Sequence, residues 1–251
     1  MVTGHVDSWG LGALDNASGN ACAVELARIL APLASDMRRS VRFVLWSGHS
    51  HGRYAGSTAW CDAHFEELER HCLLNVNSDC LGGRGATVMT ESPAMASTRG
   101  LARTALREAA GVTDWRGCRF SRSCDQSFWG AGVPSIFSQV SEQPPFEGAA
   151  ADAFGKMFGS GRTGGFGAWW HTRTDTPDKL DPENLARDVR VFASVLAHAL
   201  FDERLPVDAA TEVLELRDEL KTWQEKAGDS LDLSEVLARP DLLAEALEAT
   251  A

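Results

Sequence analysis

His5 and Asp7 stand two residues apart near the start of the chain. In an extended segment, side chains at that spacing face the same way. A histidine steered by a carboxylate is a common pairing of a metal ligand with the group that orients it. Asp15 precedes a helix-like run, Asp79 closes the apolar run 72–79, and His171 follows a glycine-rich stretch. Singly, each has a plain structural reading: a helix cap for Asp15, a packed histidine beside two tryptophans for His171. Together, two imidazoles and two carboxylates at loop positions make the donor set of a zinc site, with cobalt or manganese as alternatives. A second histidine pair, His49 and His51, flanks Ser50 in the segment WSGHSHGRYAGS, residues 46–57. Imidazoles there suit metal ligation, proton shuttling or an ordinary polar loop, and the spacing leaves all three open.

These residues can act together only if the fold gathers them. Residues 1–4, 40–46, 72–79 and 133–140 read as strands, and 86–92 as a further one. A helix is predicted from about Ser18, with Ala23, Leu26, Ala27 and Leu30 on one face. Residues 57–71 predict another, capped by Ser57 or Thr58. Residues 97–111 predict a third, stopped by Gly111. A fourth starts after Asp181 as N-cap, with Pro182 its first residue. Strands alternating with helices predict an α/β fold, a three-layer α/β/α sandwich with a mostly parallel mixed sheet. In such sheets the ligand crevice lies outside the carboxyl ends of the strands. The clusters GHVDS, GHSHG and NSD each follow an apolar strand-like run, so they should converge on one rim.

Composition narrows the class. The 251 residues are 44% hydrophobic and 24% charged, which suits a globular protein with a full core. Net charge is −11, and most of it sits after Phe201, where fourteen acidic residues meet five basic ones. Residues 204–251 are expected to form an acidic helical tail with a solvated face, beside a catalytic domain over 1–203. In that tail Val213, Leu216, Leu220 and Trp223 follow heptad-like spacing, which predicts packing on the domain or a homodimer contact. The absence of a basic patch argues against nucleic acid as a partner. No apolar run approaches the ~20 residues of a membrane helix, and no signal-peptide pattern opens the chain. Six scattered cysteines predict free thiols in a reducing compartment, hence a cytoplasmic protein. The stretch 141–170 holds seven glycines. Its Phe146, Phe154, Phe158 and Phe166 suggest a wall or lid over an apolar side chain.

As a set, these motifs resemble the zinc exopeptidases of metallopeptidase family 28, over residues 2–201. GHVDSWGLGALDNASG is similar to the family's first signature. The resemblance implies that His5 ligates one metal, Asp7 orients it with its carboxylate, and Asp15 bridges two metals. NVNSD resembles the strand that supplies Asp79 to the first metal. SCDQSFWGAGVPSIF resembles an Asp-His segment, with Gln126 in the histidine's place. HTRTDTPDKLD resembles the closing signature, whose histidine, His171, binds the second metal. The match breaks at WSGHSHGRYAGS, where the family carries two consecutive glutamates, a general base and then a ligand. Counting back from Gly56-Ser57 places Ser50 at the base position and His51 at the ligand position; a one-residue bulge brings His49 to the base position.

The resemblance therefore implies a metal-dependent hydrolase of a peptide or small amide, aminopeptidase-like. Two zinc ions are expected, with one as the lesser possibility, and His49 and Asp7 form the catalytic pair. An inactive pseudo-peptidase, used for binding or dimerisation, is the alternative, and a cyclase-type transferase has less support. Family members carry strand and helix sequence before the first histidine motif. The chain is thus expected to lack an N-terminal part, with an exposed sheet edge near residues 1–4 and modest stability.

Overall fold

A computed structural model describes residues 1–120, 127–145, 147–149, 152–153, 156 and 165–248. Four strands form a parallel sheet: β1 (Val2–His5), β2 (Phe43–Trp46), β3 (Asn75–Asn77) and β4 (Ser135–Ile136), in the order β2-β1-β3-β4. Val2 pairs with Val76, and Val76 with Ile136. These three β-favouring side chains are buried and form the floor of the main core.

Among the described residues, five helices cover the sheet: α1 (Gly19–Leu30), α2 (Ala55–Ala63), α3 (Phe65–His71), α4 (Arg99–Ala110) and α5 (Pro182–Phe201). The core on one side joins Leu26 and Leu30 of α1, Leu106 of α4, and Phe192 and Leu196 of α5, with Phe43 packed against it. A second cluster joins Trp46, Cys61 of α2, Leu68 of α3 and Phe128, with Val44 packed against it. Phe43 and Val44 are sequential, so their side chains leave opposite faces of β2. The sheet is therefore the middle of three layers, as the alternating pattern predicts.

Several local expectations change. β1 lies between β2 and β3, so no sheet edge is exposed at residues 1–4, and the terminal amine donates to the Leu74 carbonyl at 2.6 Å. Among the described residues β2 is an edge strand, and its Leu45 is 39% accessible. The helix predicted over 57–71 begins at Ala55 and breaks at His64, whose ring nitrogen donates to the Trp60 carbonyl. Residues 86–92 form a single antiparallel bridge, Val88 with Glu142, and no strand. Gly111 ends α4 at φ +70°, and Asp181 caps α5 by accepting from the amides of Glu183 and Asn184.

The tail folds as α6 (Ala209–Ala227), α7 (Ser234–Leu237) and α8 (Arg239–Glu248). Its acidic face is not simply solvated. Glu212 accepts from the amide and hydroxyl of Ser97, Glu215 pairs with Arg99 at 2.8 Å, and Glu219 with Arg119 at 3.0 Å. These glutamates recur at helical spacing, so one face meets the domain through charge. Leu216 and Trp223 of the heptad-like stripe remain exposed. Among the described residues no helix is long and apolar enough to cross a membrane.

Candidate metal centre

The loops after β1, β2 and β3 meet at the carboxyl ends of the strands, where an open parallel sheet places its ligand crevice. His5 ends β1 and is 2% exposed. Its Nδ1 lies 2.8 Å from the Asp7 backbone carbonyl. A carbonyl oxygen only accepts, so Nδ1 carries a proton and Nε2 is the nitrogen turned toward the carboxylates, the one a cation would take. That Nε2 faces Asp15 Oδ1 at 3.0 Å and Asp79 Oδ1 at 3.5 Å. His5 Nε2 and Asp79 Oδ1 are buried without a hydrogen-bond partner. Three donor atoms thus lie close together in a buried place with two of them lacking a hydrogen bond, an arrangement that a cation would satisfy. Burial alone would lower the His5 pKa, but the Asp79 and Asp15 carboxylates outweigh it and raise it to about 11.

Asp15 joins two halves. Its second oxygen, Oδ2, lies 2.9 Å from His171 Nε2. Burial opposes its charge, yet the imidazoles of His171 and His5 hold the Asp15 carboxyl well below the usual range. Its backbone leaves helical geometry in the turn Ala13–Ser18. There Asp175 accepts from the amides of Leu14, at 2.8 Å, and Asp15, at 3.0 Å. Burial raises the Asp175 pKa. Asp175 is a residue that the sequence reading missed. Its signal was its place four residues after His171 in the closing signature.

Asp79 is fixed from behind. Asn16 donates to the Ser78 carbonyl and accepts from the amides of Gly19 and Cys80. The Leu81 amide donates to Ser18, and the Gly82 amide to Asp188. Asn16 and Asp188 also went unnoticed in the sequence. Nothing in their spacing marks them, because their partners lie 64 and 106 residues away in the chain. Gly19 sits in this cross-link, where a Cβ would come within 2.2 Å of the Ser78 carbonyl oxygen.

The loop after β2 departs from expectation. The Asp7 carboxylate does not orient His5: its Oδ1 is 3.8 Å from His5 Nδ1. It accepts instead from the amides of His49, at 3.1 Å, and Ser50, at 2.7 Å. Burial opposes its charge, but those two amides lower the Asp7 pKa. His5 is oriented by the Asp7 backbone, not by the side chain. His49 stacks on His5, with ring centroids 3.9 Å apart and planes 2° from parallel. His51 turns outward, its Nε2 donating to the Ser8 carbonyl at 3.0 Å. The structure therefore brings His5, Asp15, Asp79 and His171 together, sets His49 against them, and leaves His51 beside the group.

Cys80 adds a thiol within 4.8 Å of donor atoms of Asp15 and Asp79, and His49 has a ring nitrogen within that distance of His5 and Asp79. Burial and the Asp79 carboxylate raise the Cys80 pKa well above its ordinary value. Around His171, Trp170 stacks at 3.5 Å and Trp9 approaches to 5.7 Å. Phe166 touches Trp170. Gln126 of the Asp-His-like segment, and Phe146, Phe154 and Phe158 of the expected lid, lie outside the described residues.

The model of a family described as Peptidase family M28 matches residues 1–196. Aminopeptidase YwaD of Bacillus subtilis is 23% identical over 209 residues, which is 82% of this chain and 42% of that protein. Probable glutamate carboxypeptidase VP8 of Zea mays is 34% identical over 83 residues, 32% of this chain and 12% of that one. The solved structure of BSAP, a zinc aminopeptidase from Bacillus subtilis, matches with a TM-score of 0.59 at 22% identity. The match covers 80% of this chain and 46% of that one, and is a likeness of fold. The chain spans less than half the length of these relatives.

Proposed function

The chain belongs to peptidase family M28, and from that membership we propose that it is a zinc-dependent hydrolase of peptide or amide bonds, an exopeptidase of aminopeptidase type. The observation that carries this reading is the convergence of His5 Nε2 on Asp15 and Asp79, with His171 on the other oxygen of Asp15. Imidazole nitrogens and carboxylate oxygens are zinc donors, and His5 is held in the tautomer that ligation needs. His5, Asp15 and Asp79 would hold one ion, and Asp15 and His171 a second. Zinc bound there supplies Lewis acidity toward a carbonyl oxygen and makes water more acidic.

His49 is the group we assign to proton transfer. Imidazole lone pairs lie in the ring plane, so two stacked, parallel rings cannot both aim at one ion. With His5 ligating, His49 stands beside the ligand set, stacked on His5, where an imidazole can take a proton from water and return it to the leaving amine. Asp7 serves this role at one remove, holding the His49 backbone by its amide. Ser50 is no base, because its hydroxyl is not basic near neutral pH. His49→Ala should lower kcat on aminoacyl amides by about 10²–10⁴-fold while zinc content, read by elemental mass spectrometry, stays the same. Unchanged hydrolysis with retained zinc would sink this role for His49.

One observation favours a second reading. The loop 47–54 contains no carboxylate, which suits a metal-binding scaffold without hydrolytic activity. A zinc-loaded chain that cleaves no aminoacyl or peptidyl amide would select it.

A further inference from the structure

Tyr54, the only tyrosine of the chain, lies against His49. We infer that Tyr54 is the positioning residue of His49, its ring fixing the imidazole from the start of α2 while His5 stacks on it. This deepens the zinc-hydrolase reading and rests on it for the role of His49 in proton transfer.

The His49 ring meets those of His5 and Tyr54 in different ways. His5 is parallel to it, whereas Tyr54 makes an edge contact, with centroids 4.8 Å apart and planes at 61°. Stacked and edge-to-face pairs are the arrangements that aromatic rings prefer. Parallel stacking limits the tilt of an imidazole but lets it slide. A ring inclined at 61° blocks one direction of that sliding. Proton transfer needs a base within hydrogen-bond reach of the water it serves, so a ring that slides loses rate.

Tyr54 is itself held firmly. It is buried and is the N-cap residue of α2. Its carbonyl accepts from the Ser57 hydroxyl at 3.2 Å and from the Thr58 amide at 2.9 Å. Its amide donates to the His49 carbonyl at 3.3 Å, and the Ala55 amide donates to the Gly48 carbonyl at 3.0 Å. The turn thus closes on itself, and His49 is tied to Tyr54 through backbone as well as ring. The Arg53 guanidinium lies over the Tyr54 ring, 4.8 Å from its centroid. Closing the turn puts Arg53 at φ +48° and Tyr54 at φ +68°. Side chains are disfavoured in that left-handed region, and residues persist there where surrounding contacts over-determine them. Glycine would relieve the strain at position 54 but would bring no ring to His49.

Proton NMR of the metal-free chain tests the contact. Tyr54 is the only tyrosine, so its ring protons are identified by residue type alone. They should show a nuclear Overhauser contact to a histidine ring, and that contact should vanish in His49→Ala. Its absence from the unaltered chain would overturn the inference without any variant having to fold. Kinetics on aminoacyl amides test the role. Tyr54→Leu should lower kcat by about 10–100-fold and change KM by less than about threefold. Tyr54→Phe, which keeps the ring, should recover most of that loss. In a His49→Ala background, Tyr54→Leu should cost nothing more, because residues that act through one another are not additive. An equal loss with and without His49, or Tyr54→Phe as slow as Tyr54→Leu, would overturn the inference and leave the role of His49 standing. Unchanged hydrolysis in His49→Ala, or none in the unaltered zinc-loaded chain, would overturn that role and the inference together.

Discussion

The imidazoles of His5 and His49 lie face to face, 3.9 Å apart and 2° from parallel, although 44 residues separate them in the chain. Two neighbouring strands create this pairing. His5 is level with Trp46 in the parallel register of β1 and β2, so the loop that leaves β2 passes over the end of β1. The Asp7 carboxylate then draws in the amides of His49 and Ser50. Asp7 thus holds both residues, the His5 ring through its backbone carbonyl and the His49 amide through its side chain.

That division of labour makes Asp7→Asn informative. The Asp7 carbonyl still orients His5, so zinc retention by elemental analysis should stay within about threefold of the unaltered chain, well short of the 10–100-fold typical of losing a direct orienting partner. An amide offers one acceptor oxygen where the carboxylate offers two, so the His49 loop loosens. Hydrolysis of aminoacyl amides should fall in kcat more than in KM. A large loss of zinc would return the orienting role to the carboxylate.

Asp175→Asn should act on metal and not on chemistry. One of the two amides it now accepts from would meet an NH2 group, leaving a buried donor without a partner. Such a loss costs about 1–3 kcal/mol. Asp15 should become less ordered, and zinc affinity measured by chelator competition should drop about 10–100-fold. An affinity equal to that of the unaltered chain would show that Asp175 is not a support of the centre.

Gly19→Ala tests the cross-link behind Asp79. The new methyl would lie 2.2 Å from both Asn16 Oδ1 and the Ser78 carbonyl oxygen, and neither lies at the end of a long flexible side chain. The expected loss is about 3 kcal/mol, the upper end for overpacking. It should appear as a lower urea midpoint with little change in slope. A chain of undiminished stability would mean that this turn relaxes freely.

The joint between α4 and α5 should be pH-sensitive. His198 lies 3.0 Å from Glu108 and 2.7 Å from Asp202. Hydrogen bonds to Glu108 and then Asp202 raise its pKa above 6.5. A raised histidine contributes stability that is fully present below pH 6.5 and lost as pH rises through the folded-state value. The difference in thermal midpoint between the metal-free chain and its His198→Gln variant should therefore be largest at pH 6 and shrink by pH 9. A difference that grows with pH would mean the ring is neutral in the fold.

Much of this architecture is legible in the residues themselves. Apolar runs ending in GHVDS, GHSHG and NSD predict strands with polar groups at one rim, and β1, β2 and β3 have that form. The cap at Asp181 and the stop at Gly111 follow from local backbone chemistry, which needs only neighbouring residues. The break at His64 was hidden, because a bond to the Trp60 carbonyl competes with a run whose composition otherwise suits one helix. The docking of α6 was hidden too, since Glu212, Glu215 and Glu219 read as solvated charge until Ser97, Arg99 and Arg119 are placed opposite them.

For the centre, residue type and strand-end position were enough to nominate His5, Asp15, Asp79 and His171. Donor chemistry belongs to the side chain, and position on the rim follows from the strand pattern. What each group does there was decided by tertiary structure. Asp7 holds His5 by a carbonyl, His49 stacks while His51 bonds to Ser8, and Asp175 reaches back 160 residues to the Asp15 amide. The physical reason is that a hydrogen bond is satisfied by whichever partner the fold brings within about 3 Å, and spacing along the chain does not specify that partner.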